Sequence, residues 1–275
     1  MLNNFNKIGI FDSGIGGLTV AKAINTLCPN ENLLYVGDTA HMPWGDKSKS
    51  QIISYATKIT NFLVEQGCNI IVIACNTASA NALIEISEQF TQIKLFNVID
   101  PVISFLQNIK LSNSIGIIGT KLTIKSSSYQ QKITKLLSKL NKNSLPIKAL
   151  ATPILVPLIE EGLINNQATD LIIEEYLTQL DLPDQSMLIL GCTHYPLIKK
   201  NIENYYIKVN RRVKVIDASI LVANQVKDFL LQGNNKTSQE QGVHNFYVTD
   251  DGGFFLKTAK QFFMDIKLDF LPLWG

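Results

Sequence analysis

Residues 187–196, with the sequence MLILGCTHYP, place a cysteine and a histidine directly after a run of apolar residues. The uninterrupted apolar run at 187–190 is typical of a strand that is covered on both faces of a parallel sheet. Residues 70–78, IIVIACNTA, have the same form: a buried strand, then a cysteine, then polar side chains. We interpret these two segments as equivalent parts of an internal repeat.

The repeat extends to a second pair of segments. Residues 7–14 (KIGIFDSG) and 114–121 (SIGIIGTK) both read as a strand that ends in a glycine-containing turn with a small hydroxyl residue. Further apolar runs alternate with helical periodicity, which indicates parallel β-α-β units. We therefore predict an α/β protein with two pseudo-symmetric parallel-sheet domains and an active site in the cleft between them. The first domain is expected to comprise residues 1–100 plus 214–275, and the second residues 101–213.

The composition indicates a folded globular chain without an evident polyanionic or membrane partner. The 275 residues are 46% hydrophobic, and 25 basic residues nearly balance 23 acidic ones, so overall charge favours neither nucleic acid nor a membrane surface. The amino terminus, MLNNFNKIGIF, lacks the pattern of a signal peptide, and no apolar run approaches the roughly 20 residues of a membrane span. We expect a cytoplasmic protein.

The four cysteines, Cys28, Cys68, Cys75 and Cys192, contain no C-x-x-C pair. This spacing argues against a zinc site and, in a reducing compartment, against structural disulfides. We expect free thiols and no metal. Cys28 and Cys68 have no ionisable neighbour in sequence, so we interpret them as core residues.

The matched positions of Cys75 and Cys192 point to a different role for these two thiols. Ligands of open α/β sheets bind beyond the carboxyl ends of the strands, so two facing half-domains would place these cysteines on opposite walls of one cleft. Each would also lie at a helix amino terminus, which stabilises a thiolate. A nucleophilic hydrolase needs one thiol and one histidine, whereas inversion of a stereocentre needs a base and an acid on opposite faces of one carbon. The pair therefore predicts a racemase.

Two nearby side chains are candidates to support the cysteines. Asp12 ends the first predicted strand and could orient or assist Cys75. His194 lies two residues after Cys192 and could support it. The alternative for His194 is a structural imidazole at a strand end.

The sequence resembles the glutamate racemases of the cofactor-independent aspartate/glutamate racemase superfamily. The matching segments cover most of the chain in the order of that family: FDSGIGGLTV (11–20), YVGDTAHMPWG (35–45), IVIACNTASA (71–80), VIDP (98–101), IGIIGTKLTIKS (115–126), ATPILVPLIEEG (151–162) and LILGCTHYPL (188–197). Two positions in the segment 35–45, and the tail segment VIDAS at 215–219, depart from the usual family pattern. Similar proteins have Arg or Lys in place of His41 and Tyr in place of Trp44, which puts any contact from a phenol hydroxyl in doubt.

The resemblance implies an isomerase that interconverts L- and D-glutamate without pyridoxal phosphate or any other cofactor. It implies a supply of D-glutamate for peptidoglycan, and thus for cell-wall biogenesis and cell shape, and we expect a homodimer. By resemblance, the proton carriers are Cys75 and Cys192, supported by Asp12, Glu160 and His194. The substrate contacts implied in the same way are Asp12, Ser13, Trp44, Gly45, Asn76, Thr77, Thr120, Thr123, Thr193 and His194.

The composition of these segments fits a substrate with two carboxylates. The chain has only two arginines, Arg211 and Arg212, and both lie outside the matching segments. We therefore expect backbone N–H groups, hydroxyls and amides to hold the carboxylates. Donors near the α-carboxylate would stabilise the charge that develops when the α-proton leaves.

Three alternatives remain open from the sequence. A racemase of another substrate, such as aspartate or a hydantoin, or a decarboxylase could use the same two-domain plan. A nucleotide-dependent oxidoreductase would use Gly14, Gly16, Gly17 and Asp38, but Thr19 stands where the dinucleotide fingerprint needs a small residue. A binding module for nucleic acid or an acidic regulator would use the basic stripe Lys125, Lys132, Lys135, Lys139 and Lys142, for which a solvated helix face is the simpler interpretation.

Overall fold

The computed structural model describes residues 7–109, 113–232, 241–250, 253–263 and 268–274. Within these ranges the strands are β1 (Lys7–Asp12), β2 (Asn32–Gly37), β3 (Ile70–Ile73), β4 (Lys94–Asn97), β5 (Ile115–Gly119), β6 (Ile147–Ala151), β7 (Ser186–Gly191), β8 (Val213–Ile216), β9 (His244–Val248) and β10 (Leu268–Phe270). The helices are α1 (Leu18–Leu27), α2 (Lys49–Glu65), α3 (Asn76–Asn81), α4 (Leu83–Gln89), α5 (Asp100–Gln107), α6 (Lys121–Lys125), α7 (Ser128–Lys139), α8 (Leu155–Glu160), α9 (Gln167–Leu180), α10 (Lys199–Lys208), α11 (Ala218–Gln232) and α12 (Gly253–Ala259). Short 3₁₀ helices cover Thr39–His41, Trp44–Asp46 and Tyr195–Ile198.

The strands form two separate sheets in which every pair is parallel. One sheet has the order β10-β9-β2-β1-β3-β4 and the other has the order β6-β5-β7-β8. The segment β2-β1-β3-β4 and the whole second sheet therefore share one order, with the first strand of each half between the second and third. This confirms the predicted α/β fold with two pseudo-symmetric parallel sheets.

In each half of the repeat, the first and third strands are neighbours, so their carboxyl ends lie side by side. In the first sheet β1 runs beside β3, and in the second β5 runs beside β7. The loops after these four strands contain Ser13, Cys75, Thr120 and Cys192, respectively. Because parallel strands end at the same edge of a sheet, each half presents one cysteine and one hydroxyl residue at its carboxyl edge.

The strands and their flanking helices bury the apolar pattern seen in the sequence. All four residues of β3 are buried, as expected for a strand covered on both faces. Helix α2 begins with a capping box in which Ser48 and Gln51 satisfy each other's backbone N–H groups. Its buried face includes Ile52, Ile59 and Leu63, and full burial of each such side chain contributes about 1.5–3 kcal/mol.

The chain returns to the first sheet after β8, close to the predicted position. Helix α11 packs against α1, and β9 pairs with β2. The predicted boundary at residue 214 falls inside β8 (Val213–Ile216), which pairs with β7 in the second sheet. The predicted boundary at 100/101 falls inside the first turn of α5, where Asn97 accepts from the N–H groups of residues 99 and 100. We propose a second domain that runs from about α5 to the end of β8.

Among the helices that the structure describes, none combines the length and the apolar content that crossing a bilayer would require.

Candidate active site

One cleft lies between the carboxyl edges of the two sheets, with about 580 Å³ of empty space. This volume includes space that is open to solvent. Cys75 lines it from the first half and Cys192 from the second. The other predicted site residues on its surface are Ser13, Trp44, Gly45, Asn76, Thr77, Thr120, Glu160, Thr193 and His194. Two predicted substrate contacts, Asp12 and Thr123, lie behind this surface.

Cys75 is almost completely buried where β3 passes into α3. Its Sγ lies 3.9 Å from Ser13 Oγ. Burial raises the pKa of Cys75 well above its usual range, and the nearby charge of Asp12 raises it further, which outweighs the lowering by the backbone N–H of Ala78. Cys75 is therefore a thiol at neutral pH in this structure. The predicted stabilisation of a thiolate by the helix amino terminus is smaller than the cost of removing the charge from water.

Cys192 is part of a linear arrangement with an imidazole and a carboxylate. Its Sγ lies 3.6 Å from His194 Nδ1, and His194 Nε2 lies 2.9 Å from Glu160 Oε1. Burial lowers the pKa of His194, but the hydrogen bonds to Cys192 and Glu160 outweigh burial and raise this pKa well above its usual value. The raised pKa favours the imidazolium form of His194. In that form both ring nitrogens donate, Nδ1 toward the sulfur of Cys192 and Nε2 toward Glu160 Oε1.

The side chain of Asp12 stabilises the turn that follows β1 and connects this turn to the second half of the protein. Its Oδ2 accepts from the backbone N–H groups of Gly14 and Gly17, and its Oδ1 accepts from the hydroxyl of Thr193, the residue after Cys192. The side chain is completely buried. Asp12 is therefore placed to position both walls of the cleft, and its charge raises rather than lowers the pKa of Cys75.

Polar donors are concentrated at the start of α3 and α6. The hydroxyls of Thr77, Thr120 and Thr123 form a triangle with Oγ1–Oγ1 distances of 3.0, 3.3 and 2.9 Å. Asn76 accepts a 2.7 Å bond from the Tyr129 hydroxyl, while its buried Nδ2 has no hydrogen-bond partner among the described residues. Such a donor is costly to bury unpaired, which favours its use for a bound anionic group.

Gly16 lies against the Cys192 wall, where there is no room for a side chain. A Cβ at this position would stand 2.5 Å from His194 Nδ1 and 2.7 Å from Thr193 Oγ1.

We expect Gly16→Ala to displace the imidazole from Cys192 and to lower kcat by about 10-fold or more, because small misplacements of catalytic groups are costly. Steady-state kinetics with a thermal unfolding scan would check this. Wild-type activity in a stably folded variant would contradict the assigned packing.

The cleft is also lined by residues that were not predicted from the sequence. Asp46 and Lys121 form a 3.1 Å ion pair between the two halves, and both line the cleft. The sequence indicated these two residues only indirectly. Asp46 follows Gly45 and Lys121 follows Thr120, and both of the preceding residues are predicted substrate contacts. Thr152 was also missed, and its hydroxyl lies 2.6 Å from the hydroxyl of Tyr195.

Comparison with known proteins gives the family. Residues 8–226 match the family model described as Asp/Glu/Hydantoin racemase. The chain belongs to this racemase family. It is 41% identical over 244 residues to a glutamate racemase of Aquifex aeolicus, with 89% of each chain covered, and 39% identical over 267 residues to that of Sulfurihydrogenibium sp., with 97% of each covered. The structure of the Francisella tularensis glutamate racemase in complex with D-glutamate superposes with a TM-score of 0.88 at 34% identity, covering 99% of both chains.

The structure of this racemase-family chain also bears on the two alternatives from other classes. Asp38, the expected ribose ligand of a dinucleotide site, is completely buried and already accepts hydrogen bonds from protein donors. The five lysines do not form one helix face, because Lys125 lies in α6 and Lys142 follows α7. Lys132 pairs with Asp100 at 2.6 Å. Neither alternative is supported.

Within the described ranges, no cluster of three or more His, Cys, Asp or Glu side chains is arranged to hold a metal ion.

Proposed function

We propose that this chain is a glutamate racemase that interconverts L- and D-glutamate with Cys75 and Cys192 as its two proton carriers. The observation that carries the proposal is that these two sulfurs, one from each pseudo-symmetric half, line the same cleft. The family membership, the names of the relatives and the D-glutamate in the Francisella tularensis structure support the choice of substrate.

The proton balance of the reaction follows from the two environments. In the direction that begins with Cys192 as thiolate, its sulfur takes the α-proton, and the electron pair of the C–H bond stays on the substrate. The Cys75 thiol then gives its proton to the opposite face of the same carbon. The substrate leaves inverted, and the protonation states of the two cysteines have exchanged, so the reverse reaction starts from the other side.

The surrounding groups supply what this chemistry needs. The imidazolium of His194, paired with Glu160, favours negative charge on the Cys192 sulfur. Hydroxyls and amides at the helix amino termini, including Thr77 and Asn76, are donors for the substrate carboxylates. Hydrogen-bond donors that are already oriented before the reaction stabilise the negative charge that develops next to the α-carboxylate more than they stabilise the ground state.

The decisive experiment incubates the pure protein with L-glutamate in heavy water and follows optical rotation and α-deuterium together. Loss of rotation with deuterium incorporation is expected without added pyridoxal phosphate. Parallel incubations with L-aspartate test the alternative substrate. Preferred turnover of aspartate, or a requirement for pyridoxal phosphate, would contradict the proposal.

We further propose that the chain acts in the cytoplasm as a homodimer and supplies D-glutamate for peptidoglycan. The support is its similarity to the glutamate racemases. Expression of the chain should relieve the D-glutamate requirement of a bacterium that cannot make this amino acid, and light scattering during gel filtration should give twice the mass of the chain. Growth that still depends on added D-glutamate would contradict the cellular role.

Lys121 is expected to favour entry of the substrate carboxylates through its charge at the cleft. We expect Lys121→Ala to raise KM by a few fold with kcat nearly unchanged, because exposed ion pairs are weak, about 0.2–1 kcal/mol, and act on ground state and transition state alike. The effect should fade at high salt.

The matched control for this change is Lys125→Ala, an exposed lysine one turn later in α6 that lies outside the cleft lining. Equal KM changes in both variants would argue against a local role of Lys121.

A further inference from the structure

The carboxylate of Asp38, just after β2, accepts hydrogen bonds from four side chains, which come from three separate parts of the chain. Its Oδ2 accepts a 2.9 Å bond from Trp44 Nε1, and its Oδ1 accepts bonds of 2.8 Å from Trp274 Nε1 and 2.7 Å from the Thr249 hydroxyl. His41 Nδ1 lies 3.0 Å from both oxygens. A buried carboxylate that is fully hydrogen-bonded fixes the positions of its donors.

The two tryptophans of the chain are thus joined through one carboxylate. Trp44 is 1% exposed and lines the cleft together with Gly45. The backbone of Gly45 approaches the opposite half so closely that a Cβ would stand 2.6 Å from Thr120 Cβ. The position of this wall therefore affects the width of the cleft directly.

Trp274 comes from the carboxyl-terminal segment and does not line the cleft. Its ring packs edge-on against His41 at 4.5 Å and against Tyr55 at 5.1 Å between ring centroids, with Lys58 Nζ 4.9 Å from the ring centroid. The segment is also tied to the first sheet, because the N–H of Leu271 donates to the carbonyl of Val248 at 2.8 Å. The indole is therefore held by packing as well as by its bond to Asp38.

We propose that Trp274 is a positioning residue for the substrate. Through Asp38 it holds Trp44 and Gly45, which form one wall of the cleft, at the distance from the opposite half that substrate binding requires. This inference rests on the proposed racemase function for its kinetic readout only. Loss of the Trp274 indole N–H removes one hydrogen bond to the carboxylate of Asp38. This carboxylate is then held less firmly, and so is the Trp44 indole that donates to it. The consequence is weaker substrate binding, with chemistry at the two cysteines little changed.

The kinetic test uses Trp274→Ala, which removes the ring, and Trp274→Phe, which keeps a packing ring without the N–H. We expect KM to rise by about 10-fold in the first and about 3-fold in the second, with kcat within about twofold of wild type, since the wall contacts substrate and transition state alike. If Trp274 had only a structural role, the opposite result would be expected: kcat would fall because a smaller fraction of the protein is folded, and KM would be unchanged. Phe270→Ala, at an exposed ring of the same segment, is the matched control and should leave both constants unchanged.

A second readout does not depend on turnover. In both Trp274 variants Trp44 is the sole tryptophan, so its emission and its quenching by acrylamide report on the cleft wall alone. We expect Trp44 to be quenched more readily in Trp274→Ala than in Trp274→Phe, and addition of D-glutamate to restore its shielding. Equal shielding in the two variants, or an unchanged KM in both, would overturn the inference. If the wild-type protein does not turn over glutamate, the proposed function fails, while the quenching comparison still decides the role of Trp274.

Discussion

Cys75→Ser and Cys192→Ser are each expected to abolish racemisation, with a loss of at least about 10³-fold in kcat, because a hydroxyl cannot replace a thiolate as the proton acceptor. Each variant retains the other sulfur on its own wall of the cleft. That sulfur can still remove the α-proton of the one enantiomer that presents its proton to that side. It cannot complete the inversion, since no acid remains on the opposite face.

The two variants should therefore differ in a way that a folding defect cannot imitate. In heavy water, each should exchange the α-proton of a single enantiomer without change in optical rotation, and the enantiomer should be opposite for the two variants. Nuclear magnetic resonance of L- and D-glutamate incubated separately measures this exchange. Racemisation at more than a few per cent of the wild-type rate in either variant would contradict a two-base mechanism.

Cys28→Ser provides the matched control for both serine variants. Cys28 is also buried, and burial raises its pKa to about 11, but it lies outside the cleft. We expect this variant to keep the wild-type kcat. A loss of activity there equal to that at Cys75 or Cys192 would indicate general damage to the fold.

The second large effect is expected at His194. Replacement by asparagine removes the imidazolium from Cys192 and leaves the Glu160 carboxylate without its 2.9 Å partner. We expect kcat to fall by about 10²-fold or more, in the range that general acid–base and electrostatic groups supply. Glu160→Gln keeps the imidazole but loses the charge that helps to hold its proton, so its loss of kcat should be smaller.

The same pair predicts a pH dependence of stability. The folded pKa of His194 is raised above its usual value near 6.5, so the folded state holds the proton more tightly than the unfolded chain. The resulting stabilisation is fully present below about pH 6.5 and is lost as pH rises through the raised folded pKa.

Denaturant unfolding of wild type and His194→Asn at pH 6 and pH 9 measures this dependence. The destabilisation by the variant should be larger at pH 6. A larger destabilisation at pH 9 would mean that the imidazole is neutral in the folded protein.

Local patterns were sufficient to predict most of the fold. The uninterrupted apolar runs at residues 70–73 and 187–190 gave two buried strands, and the cysteine after each run was placed correctly at the edge of its sheet. The family resemblance added Glu160, whose neighbours in sequence carry no signal of a catalytic role. Its relation to His194 is a contact across 34 positions of the chain, which no periodicity encodes.

The features that the sequence did not predict share one physical cause. The pairing of β8 with β7 was not predicted, because the periodicity of a short apolar run predicts a strand but not the neighbour with which it pairs. For a related reason, the sequence could not show that burial outweighs the helix amino terminus in setting the pKa of Cys75. Helix polarity is a local property, whereas burial and the charge of Asp12 depend on how distant segments pack.

The sequence by itself determined the two-fold repeat, the parallel sheets and the placement of one thiol at each sheet edge, since these follow from the order of apolar and polar residues over short stretches. Only the tertiary structure decided that Lys121 meets Asp46 and that Trp274 and Trp44 share the carboxylate of Asp38. Trp274 and Asp38 are 236 positions apart in the chain. Their contact exists because the carboxyl-terminal segment packs beside β9, and the free energy that selects such a contact is set by the surfaces that meet rather than by local sequence.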